Sequence, residues 1–267
     1  MMIRMPKGIW PWLILSLWFS SGLKSNESPL SPWSTDPLLR ELTAEIVFYL
    51  SFDGGNMKPE MALGLSDYRL TGQPKFVPGL KELALTAGGG KSGYAVYSSK
   101  LNFPIATQGT MIMWVCPVAW THYNGPNTIF AMTTNFSFYL ERQGPGHNEK
   151  GELTRQEAVL FLVNTPTTGN NCINFGTNNW PSGKWRMLAA VWKWPEMALS
   201  VDAGTFSVRS VKKPPLAQEF GDLLVGALGG EETLIDEVYV FKKALTKEEL
   251  QKIYQAFSRE FNQKGDN

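Results

Sequence analysis

Asp236 and Glu237 stand side by side in the apolar stretch LIDEVYVF, Leu234 to Phe241, with Glu231 and Glu232 just before it. Two carboxylates on one face of a strand, two residues apart, could act as acid and nucleophile on a glycosidic bond. Neighbours along a strand point to opposite faces, so Asp236 and Glu237 are expected to diverge. Glu232 and Asp236 are four residues apart, on the order of 13 Å along a strand. Neither arrangement makes a catalytic pair. The only histidines, His122 and His147, lie in loop-like stretches near glycine and proline, and no H-E-x-x-H, G-x-S-x-G or paired-cysteine metal motif occurs. Gly90-Lys91-Ser92 ends like a phosphate loop, but Leu85 occupies the place of its first glycine and no helical pattern follows. The chain is not expected to be an enzyme.

Aromatic side chains offer a different chemistry, because a flat ring stacks on the apolar face of a sugar while planar amides bond its hydroxyls. Trp120, His122, Tyr123 and Asn124 share one loop-like stretch, Asn178, Asn179 and Trp180 another, and Trp192 and Trp194 end a strand pattern. These loops are expected to meet at one rim, with Trp120, Tyr123, Trp180 and Trp194 contacting ligand. Trp114 and Trp185 read as core. Cys116 and Cys172 are the only cysteines, and either a disulfide or two free thiols fits their pattern. Asn26-Glu27-Ser28 and Asn135-Phe136-Ser137 match the glycosylation acceptor pattern.

The chain opens with Arg4 and Lys7 before an apolar run, Ile9 to Phe19, and Ser20 and Gly22 follow at the spacing of a signal-peptidase site. The run is short of the roughly 20 residues that a spanning helix needs. Residues 1–22 therefore read as a signal peptide, which makes the mature chain secreted or periplasmic, with no membrane insertion. Removing them takes away Arg4 and Lys7 and no acid, so 25 basic and 24 acidic residues become 23 and 24. That balance provides no field for nucleic acid or other polyanions. Residues 23–40 form a Ser/Pro-rich linker, 41–258 a folded domain and 259–267 a polar tail.

Within the domain the apolar period is mostly two. Glu45 to Phe52, Leu80 to Thr86, Thr110 to Pro117, Ala158 to Val163, Trp185 to Trp192 and Leu234 to Phe241 read as strands, several apolar on both faces. Asn127 to Leu140 reads as a hairpin turning at Thr133-Thr134-Asn135, with Phe136, Phe138 and Leu140 inward. Thr246 and Glu249 form a capping box that starts a helix through Leu250, Ile253, Tyr254 and Phe257. About a dozen short strands with one late helix describe an all-β, antiparallel two-sheet jelly-roll sandwich.

Five stretches carry a family resemblance in order: LSFDGG (Leu50–Gly55), GTMIMWVCP (Gly109–Pro117), GKWRMLAAVW (Gly183–Trp192), LSVDAG (Leu199–Gly204) and IDEVYVFKKALTKEEL (Ile235–Leu250). Together they resemble the laminin G-like, concanavalin A-like domains. The resemblance implies that the first and last strands pair, which would bring Asp53 near Asp236. It also implies that these two aspartates hold calcium with backbone carbonyls of the glycine turn, the alternative being that Asp236 accepts backbone hydrogen bonds where strand edges meet. The function implied is an exported, non-catalytic module that binds carbohydrate through rim aromatics. A protein-interaction or structural module of the envelope or matrix is the first alternative, and a glycoside hydrolase or lyase of the same fold the second.

Overall fold

The structure, a computed structural model, describes residues 37–90, 93–120, 127–178 and 180–264. The expected signal peptide and all but the last residues of the expected linker lie outside this range. No helix among the described residues is long and apolar enough to cross a membrane.

Two antiparallel sheets face each other. The nine-stranded sheet runs Ser207–Ser210, Glu196–Val201, Arg186–Lys193, Gln108–Pro117, Thr233–Phe241, Ile46–Leu50 and Met61–Ala62, with Leu83–Ala87 also paired to Thr233–Phe241 and Lys75–Pro78 beyond it. The seven-stranded sheet runs Gly169–Gly176, Ala158–Thr165, Phe138–Gln143, Thr128–Thr133, Leu223–Leu228, Tyr94–Tyr97 and Tyr68–Thr71. A short ribbon, Gly146–His147 with Leu153–Arg155, lies outside both. This is the sandwich that the strand pattern describes, with the first and last strands paired as the resemblance implies.

Strands that read as apolar on both faces are the ones with two apolar layers to fill. In Gln108–Pro117, Met111, Met113 and Val115 enter the core between the sheets, while Ile112 and Trp114 enter a second layer on the outer side. Leu250, Ile253 and Phe257 of the C-terminal helix, Lys247–Lys264, close that second layer together with Leu39 and Leu42 of an N-terminal helix, Pro37–Thr43. The Trp114 ring stacks on Tyr254 at 5.6 Å and meets Phe257 at 5.4 Å. The capping box forms: Thr246 N–H donates to Glu249 Oε2 (2.9 Å), and Glu249 N–H to Thr246 Oγ1 (3.3 Å).

Three boundaries differ from the sequence reading. Pro37 starts a helix inside the expected linker, where its missing N–H is harmless in the first turn. The last helix continues to Lys264, into the expected polar tail. Phe136 does not face inward; it sits at φ 61° and is 56% exposed, because Thr133 Oγ1 accepts the N–H groups of Ser137 and Phe138 and tightens the turn around it.

The two outer faces are unlike. Both α-helices lie on the nine-stranded sheet, whereas the described residues place no α-helix on the outside of the seven-stranded one. That face carries Val96, Met132 and Leu224, flanked by Tyr94, Ile129 and Tyr139.

Removing a buried ring leaves a cavity that a helix held at one side only partly refills. Phe257→Ala is expected to lower the unfolding free energy by about 3–5 kcal/mol in urea melts. A loss below about 1 kcal/mol would show that the C-terminal helix is not part of the cooperative unit.

Candidate functional site

The closing strand breaks its own alternation at the two acids. Asp236 pairs with Trp114 and Tyr239 with Ile112, so one residue too many lies between them, and Glu237 absorbs the bulge at φ 51°. Ile235, Val238 and Val240 all face the core. The expected divergence of Asp236 and Glu237 is thus corrected: both carboxylates turn to the helix-covered side, and both side chains are fully buried. Burial, rather than divergence, keeps them from a substrate.

Asp236 Oδ2 accepts the N–H groups of Leu80 (2.8 Å) and Lys81 (3.3 Å), and its Oδ1 accepts that of Glu237 (2.8 Å). Asp53 Oδ1 accepts those of Glu82 and Leu83, both at 3.2 Å. Four successive amides of one turn are therefore gathered by two aspartates from opposite ends of the domain. The resemblance brings the right pair together, but three of their four oxygens already face N–H donors. Calcium needs six to eight oxygens, and among the described residues no group of three or more His, Cys, Asp or Glu could hold a metal. Asp53 and Asp236 fit a turn clamp better than a calcium centre.

Glu237 accepts hydrogen bonds from Tyr49 Oη (3.0 and 3.2 Å) and Tyr239 Oη (2.5 Å). Burial pushes its carboxyl up to about 7 against the pull of Lys81 and the two hydroxyls. Asp236 is raised well above the usual carboxylate range by burial and then by the charge of Glu237.

The rim tryptophans turn out to be wall rather than platform. Trp120 and Trp180 do meet, with ring centres 5.8 Å apart and planes at 18°, but each is only 8% exposed and belongs to the core. Trp120 Nε1 donates to Thr233 Oγ1 (2.8 Å). The Arg142 guanidinium covers the Trp120 ring at 4.7 Å, and that of Arg186 covers Trp180 at 5.6 Å. Arg142 is itself fully buried, paired with Glu157 (2.9 Å) and Glu231. Trp194 donates to the Ile105 carbonyl (2.7 Å) at the far end of its strand. The register matches Arg186 with Val115 and Lys193 with Gln108, a span of about 23 Å, so Trp194 does not share a rim with the other two. Tyr123 lies outside the described residues.

The cysteines do not bridge. Val115 and Ile173 point into the core, so Cys116 and Cys172, one residue away on opposite sheets, point outward on opposite sides of the sandwich. Both thiols are free, and a disulfide needs its Cα atoms within about 7 Å.

A groove that the sequence reading missed lies at one end of the open face. It is open and shallow, about 620 Å³, and is lined by Asn135, Phe136, Asn164, Pro166, Gln218 and Glu219 among others. The exposed Phe136 ring lies 6.3 Å from that of Tyr139, planes at 20°. Asn135 Nδ2 donates to the Glu219 carbonyl (2.6 Å) and its Oδ1 accepts Gly221 N–H (2.8 Å), so this glycosylation-pattern asparagine braces the groove wall. Glu219 in turn accepts Thr167 N–H (2.8 Å) and Leu216 N–H (2.7 Å). The exposed side-chain amides of Asn164 and Gln218 remain directed to solvent. An exposed ring, two available amides and a braced wall can hold a polar ligand that has one flat apolar side.

Paired sheets, a closing strand bound to the first and a capping helix on one face define a lectin-type β-sandwich. The chain belongs to the concanavalin A-like lectin/glucanases superfamily, whose laminin G family description matches residues 88–251. No curated protein matches it by sequence. Among solved structures it is similar to one described as the crystal structure of the receptor binding domain (12% identity, TM-score 0.67, 83% of this chain and 53% of that chain). It is also similar to the binding domain of Botulinum Neurotoxin DC in complex with SialylT (12%, 0.63, 81% and 52%) and the binding domain of Paraclostridial Mosquitocidal Protein 1 (11%, 0.62, 81% and 53%). The chain spans about half the length of these structures. At such identities the likeness shows the fold.

Two predictions follow from the buried acids. A carboxyl whose folded pKa is raised takes up its proton before the unfolded chain does, so stability should rise as pH falls from about 8 to about 5, on the order of 1–3 kcal/mol. Glu237→Gln should flatten that slope in urea melts across this range, and an unchanged slope would remove Glu237 as its source. Adding calcium or a chelator should leave the thermal midpoint in place; an upward shift of several degrees with calcium, the size that near-saturating binding to the folded state gives, would restore the metal reading.

Proposed function

We propose that the protein is an exported carbohydrate-binding module that takes its ligand in the groove at the end of the open sheet face. The observation that carries this reading is Phe136, a large apolar ring left 56% exposed at a strained turn beside the Asn164 and Gln218 amides. A non-glycine residue at positive φ is costly to keep, and an exposed ring there is unfavourable unless it is used. The ring supplies a stacking surface, and the amides supply paired donors and acceptors for vicinal hydroxyls.

Family membership and a similar solved domain in complex with SialylT support the reading. So does the N-terminal apolar segment, which suits export. The ligand is bound and released unchanged, because the groove offers no pair of carboxylates set across a glycosidic bond. A second reading, protein docking, is favoured by the exposed Leu63, Leu65 and Leu101, which Asn102 ties into one patch through Gly64 N–H (2.7 Å) and the Leu65 carbonyl (2.8 Å).

A glycan array of the purified chain, followed by calorimetry on its best ligand, separates the two. Phe136→Ala is expected to weaken binding about 10- to 100-fold, corresponding to ~1–3 kcal/mol, with an unchanged melt. Trp120→Ala should instead lower the melt. Unchanged affinity in Phe136→Ala would move the site elsewhere, and an array with no ligand at all would favour docking on the leucine patch.

A further inference from the structure

Along Phe138–Gln143, the side chains of Phe138, Leu140 and Arg142 point into the sandwich, so Tyr139 and Glu141 point out onto the open face. Register places Leu160 and Ile129 directly beside Glu141, with Asn174 beyond Leu160, and Leu162 and Met132 beside Tyr139. Glu141 thus stands on a largely apolar surface and is only 8% exposed. Among the described residues its carboxylate receives no hydrogen bond and forms no ion pair. Its oxygens are not among the fully buried atoms without a partner, so they reach the surface of this apolar face, where a carboxylate with no protein donor is open to a donor from a ligand.

Among the described residues no cation is ion-paired with it. Arg155 is the nearest, and it lowers the Glu141 pKa while burial raises it. Its Nε and Nη2 are committed to the Gly144 carbonyl at 3.1 and 2.8 Å. Arg209 is spent on Asn171 Oδ1 (3.0 Å) and the Cys172 carbonyl (3.2 Å). The other titratable groups facing Glu141 are Tyr139 and Cys172, each raised by burial and by the charge of Glu141. An anionic ligand is excluded there by charge. A sugar hydroxyl can donate a charge-assisted hydrogen bond to this carboxylate, but an ammonium group adds the opposite charge to the same kind of bond, with the Tyr139 ring alongside as a further site of attraction for a cation.

We propose that Glu141 recognises a protonated amine on the ligand, so that the carbohydrate is an oligosaccharide containing amino sugars with free amines. This rests on the groove being the glycan site. Ser137 at the groove and Glu141 are four residues apart on extended chain, about 14 Å, so one ligand reaching both the Phe136 ring and Glu141 is longer than a monosaccharide.

The test is calorimetry of the full chain and of Glu141→Gln and Phe136→Ala with two probes of equal length, a fully deacetylated chitosan oligosaccharide and its N-acetylated chitin counterpart. The expected result is at least tenfold tighter binding of the chitosan probe, a preference lost in Glu141→Gln while affinity for the chitin probe is retained. Phe136→Ala should weaken both. Equal binding of both probes by the unaltered chain, or a preference that survives in Glu141→Gln, overturns this inference and leaves the groove reading standing if Phe136→Ala still weakens them. Binding of neither probe overturns it as well, and a glycan array that is also empty would then bring down the groove reading. Because Glu141→Gln removes an uncompensated charge, its melt should be no lower than that of the unaltered chain; a lower melt would reveal a structural partner and also count against the proposal.

Discussion

The sandwich depends on how one strand accommodates two carboxylates. Thr233–Phe241 is hydrogen-bonded to the first strand, the central strand and Leu83–Ala87, so a misfit in it would be felt by all three. The bulge at Glu237 resolves a conflict between alternation and charge. Strict alternation would have sent one acid into the apolar core, where an unpartnered charge is untenable. One extra residue sends both to the other side, where turn amides meet Asp236 and tyrosine hydroxyls meet Glu237. The same bulge returns Val238 and Val240 to the core in phase. Asp53 then extends the arrangement to the first strand, since it and Asp236 hold successive amides of the same turn.

Covering one outer face with helices has consequences for the other. Trp114, Tyr239, Phe241 and the helix residues Leu250, Ile253 and Phe257 saturate the outer side of the nine-stranded sheet. The inner layer absorbs Trp120, Trp180 and Trp192, and Arg142 is drawn inward with Glu157 and Glu231 to sit against Trp120. A buried arginine between two acids contributes little net stability but fixes orientation strongly, because breaking either pair strands a charge. The loops that carry Trp120 and Trp180 are thereby held to the end of the sandwich as structure.

What the sequence made legible followed from periodicity. Two-sided apolar strands, the Thr246–Glu249 box and the order of the five family stretches each reflect local patterns that tertiary packing did not override. What stayed hidden depended on single-residue events. A bulge cannot be seen from alternation, because it is the place where alternation fails, and so alternation alone puts Asp236 and Glu237 on opposite faces. The turn before Phe136 contains three polar residues that permit more than one register, and a one-residue difference exchanges inside for outside. A tryptophan near a loop reads the same whether it faces water or core; the contacts that decide, Arg142 on Trp120 and Arg186 on Trp180, are tertiary and leave no local pattern.

Once those residues are committed to structure, few side chains among the described residues retain directed chemistry. The aspartates of the turn clamp face amides, Glu237 faces hydroxyls, and the two stacked tryptophans face each other and their arginines. The outside of the seven-stranded sheet differs because its polar groups are not consumed by the fold. Phe136 offers a ring, Asn164 and Gln218 offer amides, and Glu141 offers a carboxylate, all along two neighbouring strands and the loop beside them. A surface that is apolar between widely spaced polar groups favours a long ligand with alternating flat and hydroxylated faces over a compact one, since each contact alone is weak and they act together only when one molecule reaches them all. The chain-like sugar proposed as the ligand is therefore supported by the spacing of these groups as much as by their types.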